Sequence, residues 1–216
     1  MRHIRPFQLF TALKDSPAER IASVKIPARR DLWLIETFAL ITAMRLIGAK
    51  RIFEFGTFFG STTLNLALNS PDDAEIFTFD LPRDEALAAV RTEPDTRVAS
   101  ERLAYGSQDF EGMPCASKIR QLTGNSREFD FSRFHNSIDL VFIDGGHDYE
   151  TVKSDTWNAL RMVKQGSPAC IFWHDYRNPE CPDNTAFLDE LSREYDLTHI
   201  EETMLVFWFT PCDIRI

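Results

Sequence analysis

The chain has 216 residues, 44% of them hydrophobic, and a formal net charge of −9. That length predicts one domain, or one domain with an appendage, large enough to bury a substantial core. The acidic balance, with Arg and Lys scattered rather than blocked, argues against a nucleic-acid backbone as partner, and no apolar run is long enough to span a bilayer. The opening MRHIRPFQLF lacks the apolar core and cleavage site of a secretory signal, so the expected location is cytoplasmic. Cys115, Cys170, Cys181 and Cys212 form no C-x-x-C pair, and their spacing predicts neither a zinc site nor a disulfide framework.

Residues 1–28 show weak periodicity and hold Pro17 and Pro27, which predicts a short helical or irregular arm ahead of a domain spanning 29–216. Residues 30–48 place Leu32, Ile35, Phe38, Ala39, Ile41, Leu46 and Ile47 at helical spacing, and Gly48 is a fitting stop. Arg51–Phe55 predicts the first strand of the domain, followed by Gly56, Gly60 and then Ser61-Thr62-Thr63 leading into an apolar helix. Gly56 suits a turn with positive φ, and Gly60 is expected to leave room for a ligand beside free N–H groups of the helix N-terminus. Glu75–Asp80 predicts a second strand ending in a carboxylate, completing a βαβ unit. Asp80 reads either as a solvated strand end or as the acceptor for the two ribose hydroxyls of an adenosine.

The stretch 81–117 predicts a loop over the mouth of a site, with a short helix near 85–91. Lys118–Leu122 predicts a third strand, followed by the polar turn Gly124-Asn125-Ser126. Ile138–Ile143 is a near-continuous apolar run, as expected of a central parallel strand buried on both faces, and it ends in Asp144-Gly145-Gly146-His147. A helix marked by Val152, Trp157, Leu160 and Val163 leads to a fifth strand, Ala169–Trp173, which ends in His174-Asp175-Tyr176. Leu197–Ile200 and Met204–Phe209 are joined so tightly that they must be antiparallel.

Asp80, Asp144, His147, His174 and Asp175 all fall at carboxyl ends of expected parallel strands, the edge at which open α/β sheets bind ligands. Strands in a sheet lie about 4.8 Å apart. If the fourth and fifth are neighbours, Asp144 and Asp175 can share one hard cation. His174 is then a further ligand or a structural residue. His147 is a general base or merely part of a helix cap.

Glu54-Phe55-Gly56-Thr57-Phe58-Phe59-Gly60-Ser61-Thr62 resembles the first motif of class I S-adenosylmethionine-dependent methyltransferases, E-x-G-x-x-x-G-x-[ST]. Asp80 matches their acidic ribose position, and Gly124-Asn125-Ser126 resembles the turn flanking the adenine. Phe142 to Tyr149, with Asp155 beyond it, and Trp173-His174-Asp175-Tyr176 resemble the strand endings of a bacterial small-molecule branch, similar to the catechol and macrolide-sugar O-methyltransferases. The resemblance implies a doubly wound, Rossmann-like α/β fold: a seven-stranded, mostly parallel sheet with an antiparallel C-terminal hairpin and helices on both faces. It implies S-adenosylmethionine held by Glu54, Gly56, Thr57, Phe58, Gly60, Thr62, Asp80, Asn125, Ser126 and Asp144. It also implies Mg2+ or another divalent cation on Asp144, His174 and Asp175, with Asp144 and His147 catalytic.

The expected activity is methylation of a small-molecule hydroxyl by in-line attack on the cofactor's methyl carbon. A non-catalytic cofactor-binding scaffold is the alternative. A nicotinamide-dependent oxidoreductase is disfavoured because Gly56 and Gly60 are four apart rather than in G-x-G-x-x-G. Nucleic acid and membrane are not expected partners. The arm and the long first helix are compatible with a homodimer.

Overall fold

The computed structural model describes residues 1–12, 24–25, 32–104 and 108–210. The expected boundary at residue 28, Pro17, Pro27 and Cys212 lie outside the described residues.

The chain opens with strand β1 (Arg2–Ile4) and helix α1 (Pro6–Thr11), then α2 (Leu34–Leu46), β2 (Arg51–Phe55), α3 (Ser61–Asn69) and β3 (Glu75–Asp80). Two helices come next, α4 (Ala86–Ala89) and α5 (Glu93–Ala104), before β4 (Ile119–Thr123) and β5 (Leu140–Ile143). The remainder is α6 (Tyr149–Met162), β6 (Cys170–Trp173), α7 (Pro182–Leu191), β7 (Thr198–Ile200) and β8 (Val206–Phe209). The eight strands form one sheet in the order β1-β7-β8-β6-β5-β2-β3-β4. Strand β8 is antiparallel to both neighbours, and every other pairing is parallel.

The expected mostly parallel sheet with a closing antiparallel pair is present, with one strand more than the seven anticipated. The addition is β1, which pairs Arg2, His3 and Ile4 with Thr198, His199 and Ile200. Three residues are too few to show a period, so the arm carries no strand signal of its own.

Alternation along β2 sets the two layers. Ile52 joins the core beneath α2 and α3, while Phe53 and Phe55 face the opposite layer with Phe77, Phe79, Phe131 and Phe134. Their rings meet mostly edge to face, with centroids 5.0 Å apart for Phe53 and Phe134. Burying one such side chain contributes about 2–3 kcal/mol. All four residues of β5 are buried, as its unbroken apolar run predicts.

The segment 81–117 is the main correction. Its central part is helix α5, not a loop over the site. Thr92 starts that helix: its hydroxyl accepts from the Asp95 N–H at 3.1 Å and donates to Asp95 Oδ2 at 2.6 Å. Glu93 and Asp95 in the first turn and Arg102 in the last complement the helix dipole. With few large apolar residues, α5 shows little periodicity in sequence. Among the described residues, no helix is long and apolar enough to cross a membrane.

Candidate active site

Strand β2 has β3 on one side and β5 on the other, so the chain reverses its winding between β2 and β5. A crevice opens there at the carboxyl ends of the strands, where such sheets bind ligands. It has a volume of about 780 Å³.

Gly56 closes β2 at φ +91°, and a Cβ there would stand 1.9 Å from the Asp144 carbonyl oxygen. Only glycine lets the two strand ends approach this closely. Phe58, where many relatives of the first motif have glycine, adopts a left-handed φ of +48°. Gly60 begins α3 at φ +79°, but the room it leaves is filled by the Phe110 ring, 2.5 Å from a virtual Cβ, rather than by a ligand. Glu54 is also away from the cleft. It is buried and accepts from the hydroxyls of Thr63 and Thr78. Burial pushes its carboxyl up to about 8, against the pull of those hydroxyls. The other residues expected at the cofactor, Gly56, Thr57, Phe58, Thr62, Asp80, Asn125, Ser126 and Asp144, all line the cleft.

Asp80 is fully engaged. Its Oδ2 accepts from the N–H groups of Thr57 and Phe58, both at 3.0 Å, and its Oδ1 from Leu81 N–H at 2.7 Å. Arg102 of α5 adds an ion pair of 2.8 Å to Oδ1. Burial raises the Asp80 carboxyl, while Arg102 and the three N–H groups oppose that rise.

Beyond β5 and β6 the chain assembles a second polar group. His174 Nδ1 lies 3.1 Å from Asp144 Oδ1 and 3.3 Å from Asp175 Oδ2, and its Nε2 lies 3.3 Å from Glu36 Oε2. His147 reaches Asp175 Oδ2 through Nε2 at 2.9 Å and Asp95 Oδ1 through Nδ1. Burial favours the neutral form of both rings, but the surrounding carboxylates outweigh it and hold both well above the usual imidazole range. Burial likewise acts to raise Asp175, yet His174 and His147 hold it well below the carboxylate range. Glu36, completely buried on α2, is kept low by His174 and by the N–H groups of Met204 and Trp33, which outweigh its burial. Asp175 itself adopts φ +61°, in the left-handed region that aspartate tolerates better than most residues other than glycine.

His147 therefore has both nitrogens engaged and is held protonated, so it is not free to accept a proton in this state. It does not cap α6 either. Asp148 does, with its Oδ1 accepting from Thr151 N–H at 3.1 Å.

A family model described as a methyltransferase domain matches residues 53–176, more than half of the chain. The chain belongs to this methyltransferase family. Its fold is similar to that of the O-methyltransferase TomG from Streptomyces achromogenes, solved with SAM, at 19% identity and a TM-score of 0.55, covering 95% of this chain and 89% of that one. An O-methyltransferase from Bacillus cereus in complex with SAH matches at 16% identity, TM-score 0.53, over 94% and 89% of the two chains. The SAH-bound Podospora anserina methyltransferase PaMTH1 matches at 16% identity, TM-score 0.55, over 96% and 88%. No curated protein matches the chain in sequence.

The methyltransferase has the donor set for a divalent cation at Asp144, His174 and Asp175, whose ligand atoms lie within 4.8 Å of one another. Four carboxylates (Glu36, Asp95, Asp144, Asp175) stand against the two imidazole rings of His147 and His174.

Sequence reasoning missed Glu36, Asp95 and Arg102 as parts of the site. The Thr92-to-Asp95 spacing of a helix start was available as a signal for Asp95. Nothing in sequence pointed Arg102 at Asp80. Asp155, seen only as part of a motif, is buried in the cleft wall with Oδ1 unpartnered, and burial raises its carboxyl to about 7.

Proposed function

We propose that this methyltransferase transfers the methyl group of S-adenosylmethionine to a hydroxyl of a small molecule, assisted by a divalent cation. The observation that carries the reading is a single cleft lined both by the Gly56 turn and Asp80 and by Asp144, His174 and Asp175. Asp80 receives the ribose hydroxyls, which replace the Arg102 contact on Oδ1. The turn Gly124-Asn125-Ser126 flanks the adenine, and the Gly56–Phe58 turn runs along the cofactor's backbone.

A cation held by Asp144, His174 and Asp175 would lower the pKa of an acceptor hydroxyl. The chain's own residues do the rest. Asp144 faces the cleft with a quarter of its side chain exposed, and it accepts the hydroxyl proton. His147 is a positioning residue: fixed by Asp95, it holds Asp175 in place.

Calorimetry with S-adenosylhomocysteine, with and without magnesium and with NAD as control, tests this. Micromolar binding of S-adenosylhomocysteine but not NAD, strengthened by magnesium, is expected. Binding of neither cofactor would leave the scaffold reading in its place.

A further inference from the structure

A second cluster lies against the first. His147, Asp175 and Cys181 also bring one ligand atom each within 4.8 Å of one another. The spacing of the cysteines in sequence predicts no such thing, because Cys181 meets its partners only in the fold.

Three features make this more than proximity. First, His147 is oriented from behind: the Asp95 carboxylate holds Nδ1, leaving Nε2 directed at Asp175. A carboxylate behind an imidazole is the outer support that metal-binding histidines use. Second, Cys181 is buried and occupies the N-cap of α7, a ten-residue helix. The partial positive charge of a helix N-terminus favours a thiolate there. Burial raises the thiol while it has no cation to bind, and His147 opposes that rise. Third, the amide of Asn178 fixes the remaining Asp175 oxygen, donating to Oδ1 at 2.6 Å, and sits 3.6 Å from Cys181 Sγ. Bond lengths of about 2.0–2.1 Å to nitrogen and oxygen put tetrahedral ligand atoms about 3.4 Å apart. The present 2.9 Å between His147 Nε2 and Asp175 Oδ2 needs to open by only about half an ångström to reach that separation.

We propose that His147 Nε2, Cys181 Sγ and Asp175 Oδ2 form a site for a soft divalent cation of the zinc class. A fourth position opens to the cleft, since His147 and Asp175 line it. A sulfur ligand selects zinc or cobalt over magnesium, so the site differs in chemistry from the oxygen-rich group at Asp144. Binding replaces the protons on Nε2 and Sγ and releases them to solvent, with no change of oxidation state.

The test uses the full chain, reduced and stripped of metal, titrated with Co2+ and monitored by its near-ultraviolet thiolate-to-cobalt charge-transfer band. The band is expected in the parent protein and in Asp144→Ala, which separates this site from the cation of the proposed reaction. It is expected to vanish in Cys181→Ser and to need about 10–100-fold more cobalt in Asp95→Asn. S-adenosylhomocysteine binding reports that Cys181→Ser is folded. X-ray absorption of the cobalt-loaded parent protein, which needs no variant, is expected to show one sulfur among nitrogen and oxygen ligands. A shell without sulfur, or a band that survives Cys181→Ser, overturns the proposal.

Discussion

Asp80 at the end of β3 and Asp175 just beyond β6 stand on one sheet edge with β2 and β5 between them, and different donors hold them. Asp80 meets three backbone N–H groups and a guanidinium, none of which changes charge near neutral pH. Asp175 meets two imidazoles and one amide. A binding cation can displace the proton of an imidazole, but not that of a guanidinium or a backbone amide. One carboxylate is therefore built for fixed recognition, and the other sits where protons and cations can trade places. The cleft divides its work along that line.

The largest effect is expected on the exchanging side. Asp144→Ala should lower kcat by about 10²–10³-fold with magnesium-free S-adenosylhomocysteine affinity nearly unchanged and its strengthening by magnesium lost, read by single-turnover kinetics beside calorimetry. On the fixed side, Asp80→Ala should weaken S-adenosylhomocysteine binding by about 10–100-fold, while turnover at saturating cofactor changes far less. If the two variants showed the same pattern, the division would be wrong.

Glu54, buried beneath the fixed side, gives a stability test. Its folded carboxyl titrates near 8 against an ordinary value of 4.5, so the folded state holds a proton that the unfolded state has released. Its contribution is present at pH below 4.5 and is lost as pH rises towards 8. Relative to the parent, Glu54→Gln should remove roughly 3–5 kcal/mol of that decline, measured by urea unfolding across the same range. The smallest effect is expected from Arg102→Gln. Because the ribose no longer displaces an ion pair, S-adenosylhomocysteine should bind a few-fold tighter. Weaker binding would instead mean that Arg102 holds the bound cofactor.

The carboxylates at the strand ends were legible because buried parallel strands announce themselves as apolar runs, and a residue directly after such a run must fall at the carboxyl edge. Gly56 was legible for the same reason. The rest of the site was hidden by the way polar residues become buried. Glu36 interrupts an apolar helix in sequence and suggests a wet face. In the structure it is wholly buried, because Met204, Trp33 and His174 satisfy it. Asp95 and Arg102 belong to a helix rich in charge, and each is buried against a partner more than twenty positions away in the chain. Pairing of this kind leaves no period to read. Gly60 misled for the opposite reason: the sequence shows that space is needed, but not what fills it.

The left-handed backbone at Asp175 also narrows the evolutionary choices at that position. Asparagine and glycine can replace aspartate there at little conformational cost, whereas glutamate cannot. A lineage losing the charge at this position would pass most readily through the amide, keeping the shape of the site after its chemistry had gone.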